Sequence, residues 1–156
     1  MMDTDFMRLA INNAREAISR GQIPVGSVLV RRDEMMLAAH NTVWLDGDPT
    51  AHAEMNAIRK AAKQLGTIAL GGCTIYCTLE PCPMCLSASH WAKVQRIVYG
   101  ARITDAIAHG FSELTIPAKQ MVELGRSPIQ LEGGVLEAEC RLLFDEWTKS
   151  GMARPY

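Results

Sequence analysis

Four residues in two short motifs have the types and spacing needed for metal chemistry. His52 and Glu54 form a His-x-Glu motif, and Cys82 and Cys85 lie in a Pro-Cys-Pro-Met-Cys stretch further along the chain. One imidazole and two thiolates are donors that Zn²⁺ prefers, and three protein ligands leave the fourth tetrahedral position to water. The pattern therefore predicts one catalytic Zn²⁺ per chain, held by His52, Cys82 and Cys85, with a bound water or hydroxide.

Glu54 is predicted to be the catalytic residue. Zn²⁺ with two thiolates and a neutral imidazole is formally neutral, so a nearby carboxylate stays free to act as a base. Coordination lowers the pKa of bound water to about 7, and a carboxylate within reach can take its proton and deliver it elsewhere. Attack on a ring carbon that bears an amino group, with Glu54 protonating the ring nitrogen and then the leaving amine, is hydrolytic deamination. We expect an aminohydrolase.

The other cysteines leave one alternative open. Cys77 could be a fourth ligand, which would make a closed structural zinc site with Glu54 as an ordinary solvated helix residue. A structural site has no need of an acid beside its histidine, so the open site is the preferred interpretation. An odd number of cysteines without an export signal argues against a disulfide framework, and Cys73, Cys77 and Cys140 are predicted to be small buried side chains.

Two helix N-termini are expected to bring these motifs together. Pro81 suits the first turn of a helix over residues 82–92, and cysteines at i and i+3 of such a turn point the same way. The helix dipole there helps to keep the thiols deprotonated. His52 and Glu54 can both reach past the start of a second helix, so the two N-termini would enclose the metal.

The remaining pattern predicts one α/β/α domain over residues 1–156. Apolar spacing predicts an N-terminal helix, a helix that Gly66 ends and a C-terminal helix over 136–147. Strands are predicted at 24–30, 35–40, 73–79 and 96–100, the first two as a hairpin, with a polar loop at 41–50 and an irregular stretch at 101–128. Alternation of strands with helices implies parallel pairing by crossover connections.

Composition excludes several classes of protein. The chain has 156 residues, of which 48% are hydrophobic and 21% charged, and its formal net charge is −1. There is no overall basic field to attract a phosphate backbone, so a nucleic-acid partner is not expected. No run of about eighteen apolar residues and no signal-like N-terminus occur, so we expect a cytoplasmic protein without a membrane partner.

The sequence resembles the cytidine-deaminase-like superfamily of zinc deaminases, whose His-x-Glu and Pro-Cys-x-x-Cys signature it carries. Residues 48–54 and 78–85 are similar to the base and nucleoside deaminase branch, which includes guanine and guanosine deaminases, tRNA adenosine deaminases and the fungal type of cytosine deaminase. The resemblance covers nearly the whole chain. It implies a three-layer α/β/α fold with a mixed five-stranded sheet, and an obligate oligomer, commonly a homodimer.

The same resemblance implies four substrate-binding residues. Asn41 matches the asparagine that hydrogen-bonds the base, and Trp91 matches an aromatic that lines the guanine deaminase pocket. Glu113 falls in a Gly-Phe-acid segment of guanine and guanosine deaminases, and Tyr156 matches a terminal aromatic that helps to close an active site. The plainer alternatives are a turn residue at Asn41, packing at Trp91, a solvated glutamate at Glu113 and a frayed tail at Tyr156.

Two departures bear on the substrate. Guanine enzymes carry an aromatic where this chain has Val25, and Ser112 replaces an acid commonly found before the position of Glu113. Guanine is favoured, with tRNA adenosine, cytosine or a related small amino-heterocycle as alternatives and a non-catalytic zinc-stabilised binding module as a third hypothesis. The C-terminal charges are mixed in sign and give little support to RNA binding; they are Asp145, Glu146, Lys149 and Arg154.

Overall fold

A computed structural model describes residues 1–156, and its centre is a five-stranded sheet. The strands are β1 (Gly26–Arg31), β2 (Glu34–His40), β3 (Cys73–Leu79), β4 (Arg96–Ala101) and β5 (Gln130–Gly133). They are ordered β2-β1-β3-β4-β5, with β1 antiparallel to both neighbours and β3, β4 and β5 parallel. The predicted mixed five-stranded sheet is confirmed. The predicted parallel pairing by crossover connections is found between β3 and β4 and between β4 and β5.

Seven helices accompany the sheet. They are α1 (Asp3–Ser19), α2 (Val43–Asp46), α3 (Ala53–Leu65), α4 (Pro83–Trp91), α5 (Ile103–Ala108), α6 (Ala118–Gly125) and α7 (Glu137–Lys149). Helices α1 and α7 contact each other and the sheet. Helix α3 contacts β1, β2 and α4, and α4 in turn contacts α6. None of the helices combines the length and the apolar character that a membrane crossing requires.

The core fills both faces of the central strands, under α1 and α7 on one side and under α3 on the other. Its largest fully buried side chains include Phe6, Leu29, Ile75, Ile97 and Trp147. Gly26 is required by close packing, because a Cβ there would lie 2.2 Å from the Ala10 carbonyl oxygen of α1. Any larger residue would therefore push α1 away from β1.

Four elements were missed by the sequence pattern. The predicted loop 41–50 contains the short helix α2, and the stretch 101–128 contains α5 and α6. The edge strand β5 was not located, because it has only four residues and is mostly exposed, so it shows no apolar alternation. These elements are short, and long-range contacts decide them more than local periodicity does.

Candidate metal centre and active-site cavity

The two chemistry-bearing motifs lie at the N-termini of neighbouring helices. His52 is the N-cap of α3 and Cys82 is the N-cap of α4, and both have an extended backbone that aims the side chain past the helix end. Glu54 and Cys85 lie in the first turns of the same two helices. Because α3 and α4 are in contact, the four side chains meet, as the sequence predicted.

Three of these side chains fit a single zinc ion. His52 Nδ1 lies 3.6 Å from Cys82 Sγ and 3.4 Å from Cys85 Sγ, and the three ligand atoms lie within 4.8 Å of one another. Zinc bonds of about 2.3 Å to sulfur and 2.0 Å to nitrogen, at tetrahedral angles, separate the two donors by about 3.5 Å. Donor type and spacing therefore agree, and His52, Cys82 and Cys85 are positioned to bind Zn²⁺.

Cys77 does not join this group. It is fully buried on β3, and the side chains close enough to share an ion are His52, Cys82 and Cys85 alone. The carboxyl group of Glu54 is also buried, at 4% exposed, so Glu54 is not a solvated helix residue. The closed four-ligand site is not supported by this geometry, and the fourth metal position is open to water or substrate.

The two nitrogens of His52 have different partners. Nδ1 faces the two thiols, and Nε2 lies 2.5 Å from the Tyr156 hydroxyl. An imidazole that binds a metal through Nδ1 carries its proton on Nε2 and can donate it to the tyrosine oxygen. Tyr156 therefore holds the ring orientation that a metal ligand needs.

The two thiols differ in proton affinity. The pKa of Cys82 is lowered to about 4, because the Cys85 thiol donates a hydrogen bond to it and His52 lies beside it. The pKa of Cys85 is raised well above its ordinary value, because Cys85 is the donor in that pair and is buried. One thiolate is thus present at neutral pH, and the thiolate is the form that binds metal.

A cavity of about 260 Å³ adjoins the metal site. Its polar lining includes three of the predicted substrate-binding residues, Asn41, Glu113 and Tyr156. Its apolar lining comes from Ile23, Val25, Leu79, Ala106, Phe111 and Phe144. The cavity thus joins an apolar wall to a few convergent polar groups, which is typical of small-molecule sites.

Two carboxyl groups of the cavity have unusual proton affinities. Burial raises the pKa of Glu54, and the nearby His52 opposes this rise. Burial, with the Cys82 charge in second place, raises the pKa of Glu113 to about 7. A carboxyl group whose pKa lies near 7 beside a metal site, as that of Glu113 does, can hold and release protons in catalysis.

Asn41 is both a turn residue and a cavity residue. Its side-chain oxygen accepts a hydrogen bond of 3.0 Å from the Val43 N–H and so starts α2, while the residue is buried and lines the cavity. Both interpretations made from the sequence are therefore compatible with its position.

The C-terminal tail packs against the cavity. The Ser112 N–H donates to the Tyr156 carbonyl oxygen at 3.1 Å, and Trp44 Nε1 donates to the Arg154 carbonyl oxygen at 2.9 Å. The Arg154 guanidinium also lies 3.8 Å from the centre of the Trp44 ring, within cation–π range. These contacts order the tail, so Tyr156 lines the cavity instead of fraying.

Residues 1–101 match the cytidine and deoxycytidylate deaminase zinc-binding region. The chain belongs to this family of zinc deaminases. It is similar to the guanine deaminase of Bacillus subtilis (strain 168), with 42% identity over 109 residues that cover 69% of this chain and 70% of that one. It is also similar to the tRNA-specific adenosine deaminase of the same organism, with 38% identity over 138 residues, 88% of this chain and 83% of that one.

Solved structures agree with this assignment. The deaminase matches the guanine deaminase from Nitrosomonas europaea with a TM-score of 0.86 and 27% identity, over 94% of this chain and 84% of that one. A structure from studies of tRNA:A34 deaminases matches with a TM-score of 0.76 and 32% identity, over 90% and 99%. The chain is therefore a zinc-dependent, hydrolytic nucleobase or nucleoside deaminase. Guanine deaminases and tRNA-specific adenosine deaminases are similar to it at comparable sequence identity.

Trp91 of the deaminase does not reach the cavity. Its indole is 76% exposed at the end of α4, beside a smaller surface depression that Leu86 and Met121 help to line. The buried face of α4 carries Cys85, Leu86 and Ser89, so position 91 points elsewhere. The expectation that Trp91 lines the substrate pocket is not met within the chain.

Sequence reasoning missed Glu80 of the deaminase, which lies between β3 and the cysteine motif. It is buried, lines the cavity and accepts hydrogen bonds from two backbone N–H groups. A glutamate in an otherwise uncharged stretch beside the metal motif was the available signal. Its partners, Ile103 and Ala118, lie too far along the chain to be found from local patterns.

Proposed function

We propose that this deaminase acts on a free nucleobase or nucleoside, with guanine favoured, and releases ammonia. The observation that carries the proposal is the position of Tyr156, whose hydroxyl lies 2.5 Å from His52 Nε2 inside a cavity of about 260 Å³. That volume lies just below the range of about 300 to 1,000 Å³ of drug-sized ligand sites, so it suits a small heterocycle. The similarity to guanine deaminases is a second support.

In this proposal Glu54 is the catalytic residue. His52, Cys82 and Cys85 would hold Zn²⁺, which when bound would polarise a water for attack as the nucleophile. Glu54 accepts a proton from the attacking water and transfers it to the neighbouring ring nitrogen. It then takes the proton of the hydroxyl newly added to the ring carbon and passes it to the amine, which leaves as ammonia while that carbon becomes a carbonyl. Its burial keeps bulk water away from these proton transfers, and its raised pKa favours a carboxyl that can both accept and donate.

Asn41, Glu113 and Tyr156 are the proposed substrate-binding residues. They contribute an amide, a carboxyl and a hydroxyl to one cavity, so they offer donors and acceptors to the edge of a base. Glu113 has a pKa of about 7, so near neutral pH it can accept a hydrogen bond from an amino group or donate one to a carbonyl. Val25 provides an apolar wall where guanine enzymes have an aromatic.

The second candidate is a tRNA adenosine deaminase, which the similarity to tRNA-specific relatives favours. Such an enzyme must admit a flipped-out base that stays attached to its strand. The tail from Arg154 to Tyr156 would then have to leave the cavity, and a net charge of −1 offers little attraction to RNA. We therefore rank this function below the first.

We also propose that the deaminase is a homodimer in the cytoplasm. Trp91 is a large aromatic left 76% exposed, which is the kind of side chain that anchors protein interfaces. All five cysteines are free, as expected in a reducing compartment.

An ammonia-release screen tests the proposed substrate. The zinc-loaded protein would be assayed with guanine, guanosine, adenine, cytosine, small triazines and a tRNA anticodon stem-loop. We expect turnover of guanine, with guanosine next. Turnover of the stem-loop alone would overturn the free-base proposal. A Glu54→Ala variant that keeps its zinc is the control, and wild-type activity in that variant would contradict the mechanism and favour a binding module.

A further inference from the structure

Glu80 joins the metal site to a distant segment of the cavity wall. Its side chain follows β3 directly, precedes Pro81 and Cys82, and is only 6% exposed. One carboxylate oxygen accepts a hydrogen bond from the Ile103 N–H at 3.0 Å, and the other accepts one from the Ala118 N–H at 2.9 Å.

The two amide groups mark the ends of one segment. Ile103 is the first residue of α5 and Ala118 is the first residue of α6, so a single carboxylate closes residues 103–118 at both ends. This segment carries Ala106, Phe111 and Glu113 to the cavity. We refer to residues 103–118 as the recognition segment.

The sequence explains why the recognition segment depends on Glu80. The N-cap positions of α5 and α6 are Arg102 and Pro117, and neither side chain can accept a hydrogen bond from the first helical turn. A carboxylate placed between both N-termini binds the free N–H groups and interacts favourably with the helix dipoles. The Glu80 N–H also donates to the Ala101 carbonyl oxygen at 2.8 Å, which fixes the backbone from which the carboxylate extends.

We propose that Glu80 is a positioning residue that holds the recognition segment, and with it Glu113, at a fixed place relative to Cys82. This inference rests on the proposed function, in which Glu113 contacts the substrate. Glu80 binds no metal and touches no reacting atom in this proposal. Its effect on turnover is transmitted through Glu113.

The test uses Glu80→Gln in the zinc-loaded, full-length protein. The amide has the same shape but only one acceptor, so one backbone N–H loses its partner. We expect whichever amide of residues 103 and 118 loses its acceptor to exchange hydrogen at least about tenfold faster, as for the loss of one charge-assisted hydrogen bond. We expect kcat/KM to fall by about 10- to 100-fold through misplacement of Glu113, with zinc content unchanged.

A double-mutant cycle separates positioning from general destabilisation. In a Glu113→Gln background, Glu80→Gln should lower kcat/KM by less than about threefold, because coupled residues are not additive. An equal fall in both backgrounds, or unchanged exchange in the recognition segment, would overturn the proposal. The matched control is Glu123→Gln, which removes an exposed charge from α6 and should leave exchange and kcat/KM unchanged.

Two further results keep this inference separate from the proposed function. Glu80→Asp keeps the charge but is one methylene shorter, so it should give a smaller change in exchange and also serves if Glu80→Gln folds poorly. If the wild-type protein releases ammonia from another compound, the cycle is run on that compound. If it acts on none, the proposed function fails, while amide exchange at residues 103 and 118 still decides whether Glu80 holds the segment.

Discussion

The metal side and the substrate side of this site are built differently. The four residues of the metal side come from the first turns of α3 and α4, so two touching helix ends are enough to assemble it. The substrate side takes Asn41, Glu113 and Tyr156 from three separate irregular segments. Each of those segments is held by contacts with residues far away in the chain. Changes on the metal side should therefore abolish catalysis, whereas changes on the substrate side should retune it.

The largest expected effect is loss of a metal ligand. Cys85→Ala should lose both zinc and ammonia release almost completely, because two remaining ligands hold the ion poorly. Zinc content measured together with turnover checks this result. A chelator should have the same effect on the wild-type protein, and added Zn²⁺ should restore activity only there. Full activity of Cys85→Ala would contradict the expectation that changes on the metal side abolish catalysis.

Glu54→Gln should separate metal binding from catalysis. The amide cannot transfer protons, so kcat should fall by about 10²- to 10⁴-fold. Zinc content should stay at the wild-type level, because Glu54 is not one of the three ligands. Loss of zinc in this variant would instead mean that Glu54 helps to hold the ion.

Glu113→Gln should weaken the substrate side and leave the metal side intact. We expect kcat/KM to fall by about 10- to 100-fold, as when a buried substrate group loses its charged partner. Unchanged zinc content is the control. A decrease in kcat/KM of less than about threefold would mean that Glu113 does not contact the substrate.

Glu113 also predicts a pH dependence of stability. Its pKa in the folded protein is raised from 4.5 to about 7, so the folded state binds more protons than the unfolded state between these values. The contribution of Glu113 to stability is therefore fully present below pH 4.5 and is lost as the pH rises to about 7. Relative to Glu113→Gln, wild-type stability should decline over this interval. Denaturant unfolding of both proteins at several pH values measures it, and parallel curves would contradict it.

Tyr156→Phe should have smaller effects, and these should appear on both the metal side and the substrate side. It removes the hydroxyl beside His52 Nε2, and a single hydrogen bond is worth about 0.5 to 1.5 kcal/mol. We expect a decrease of about 2- to 10-fold in kcat/KM and a modest loss of zinc affinity. Competition with a chromogenic chelator and steady-state kinetics measure the two effects.

The smallest effect is expected at Trp91. An exposed residue outside the cavity should change kcat/KM by less than about twofold when replaced by alanine, as most surface substitutions do. Sedimentation of the same variant tests whether Trp91 belongs to the proposed dimer interface. A large loss of activity would instead mean that Trp91 reaches the substrate across an interface between two copies of the chain.

The accuracy of the sequence-based predictions follows the same division. Strands β1 to β4, the hairpin and the helices α1, α3, α4 and α7 were predictable because each has a clear apolar period or a clear start, whereas the five-stranded mixed sheet was implied only by the family resemblance. Helices α2, α5 and α6 and strand β5 are too short for periodicity to reveal them. Among the substrate-binding predictions, Asn41, Glu113 and Tyr156 line the cavity and Trp91 does not. Their roles in binding stay predictions.

The sequence by itself determined the zinc chemistry of this protein, because ligand type and spacing at a helix start are local properties. His52, Cys82 and Cys85 converge through the first turns of two helices, with Glu54 beside them. Only the tertiary structure decided which distant residues face the metal. It turns Tyr156 inward and Trp91 outward, and it brings Ile103 and Ala118 to one carboxylate. Those outcomes depend on burial and on hydrogen bonds between segments far apart in the chain.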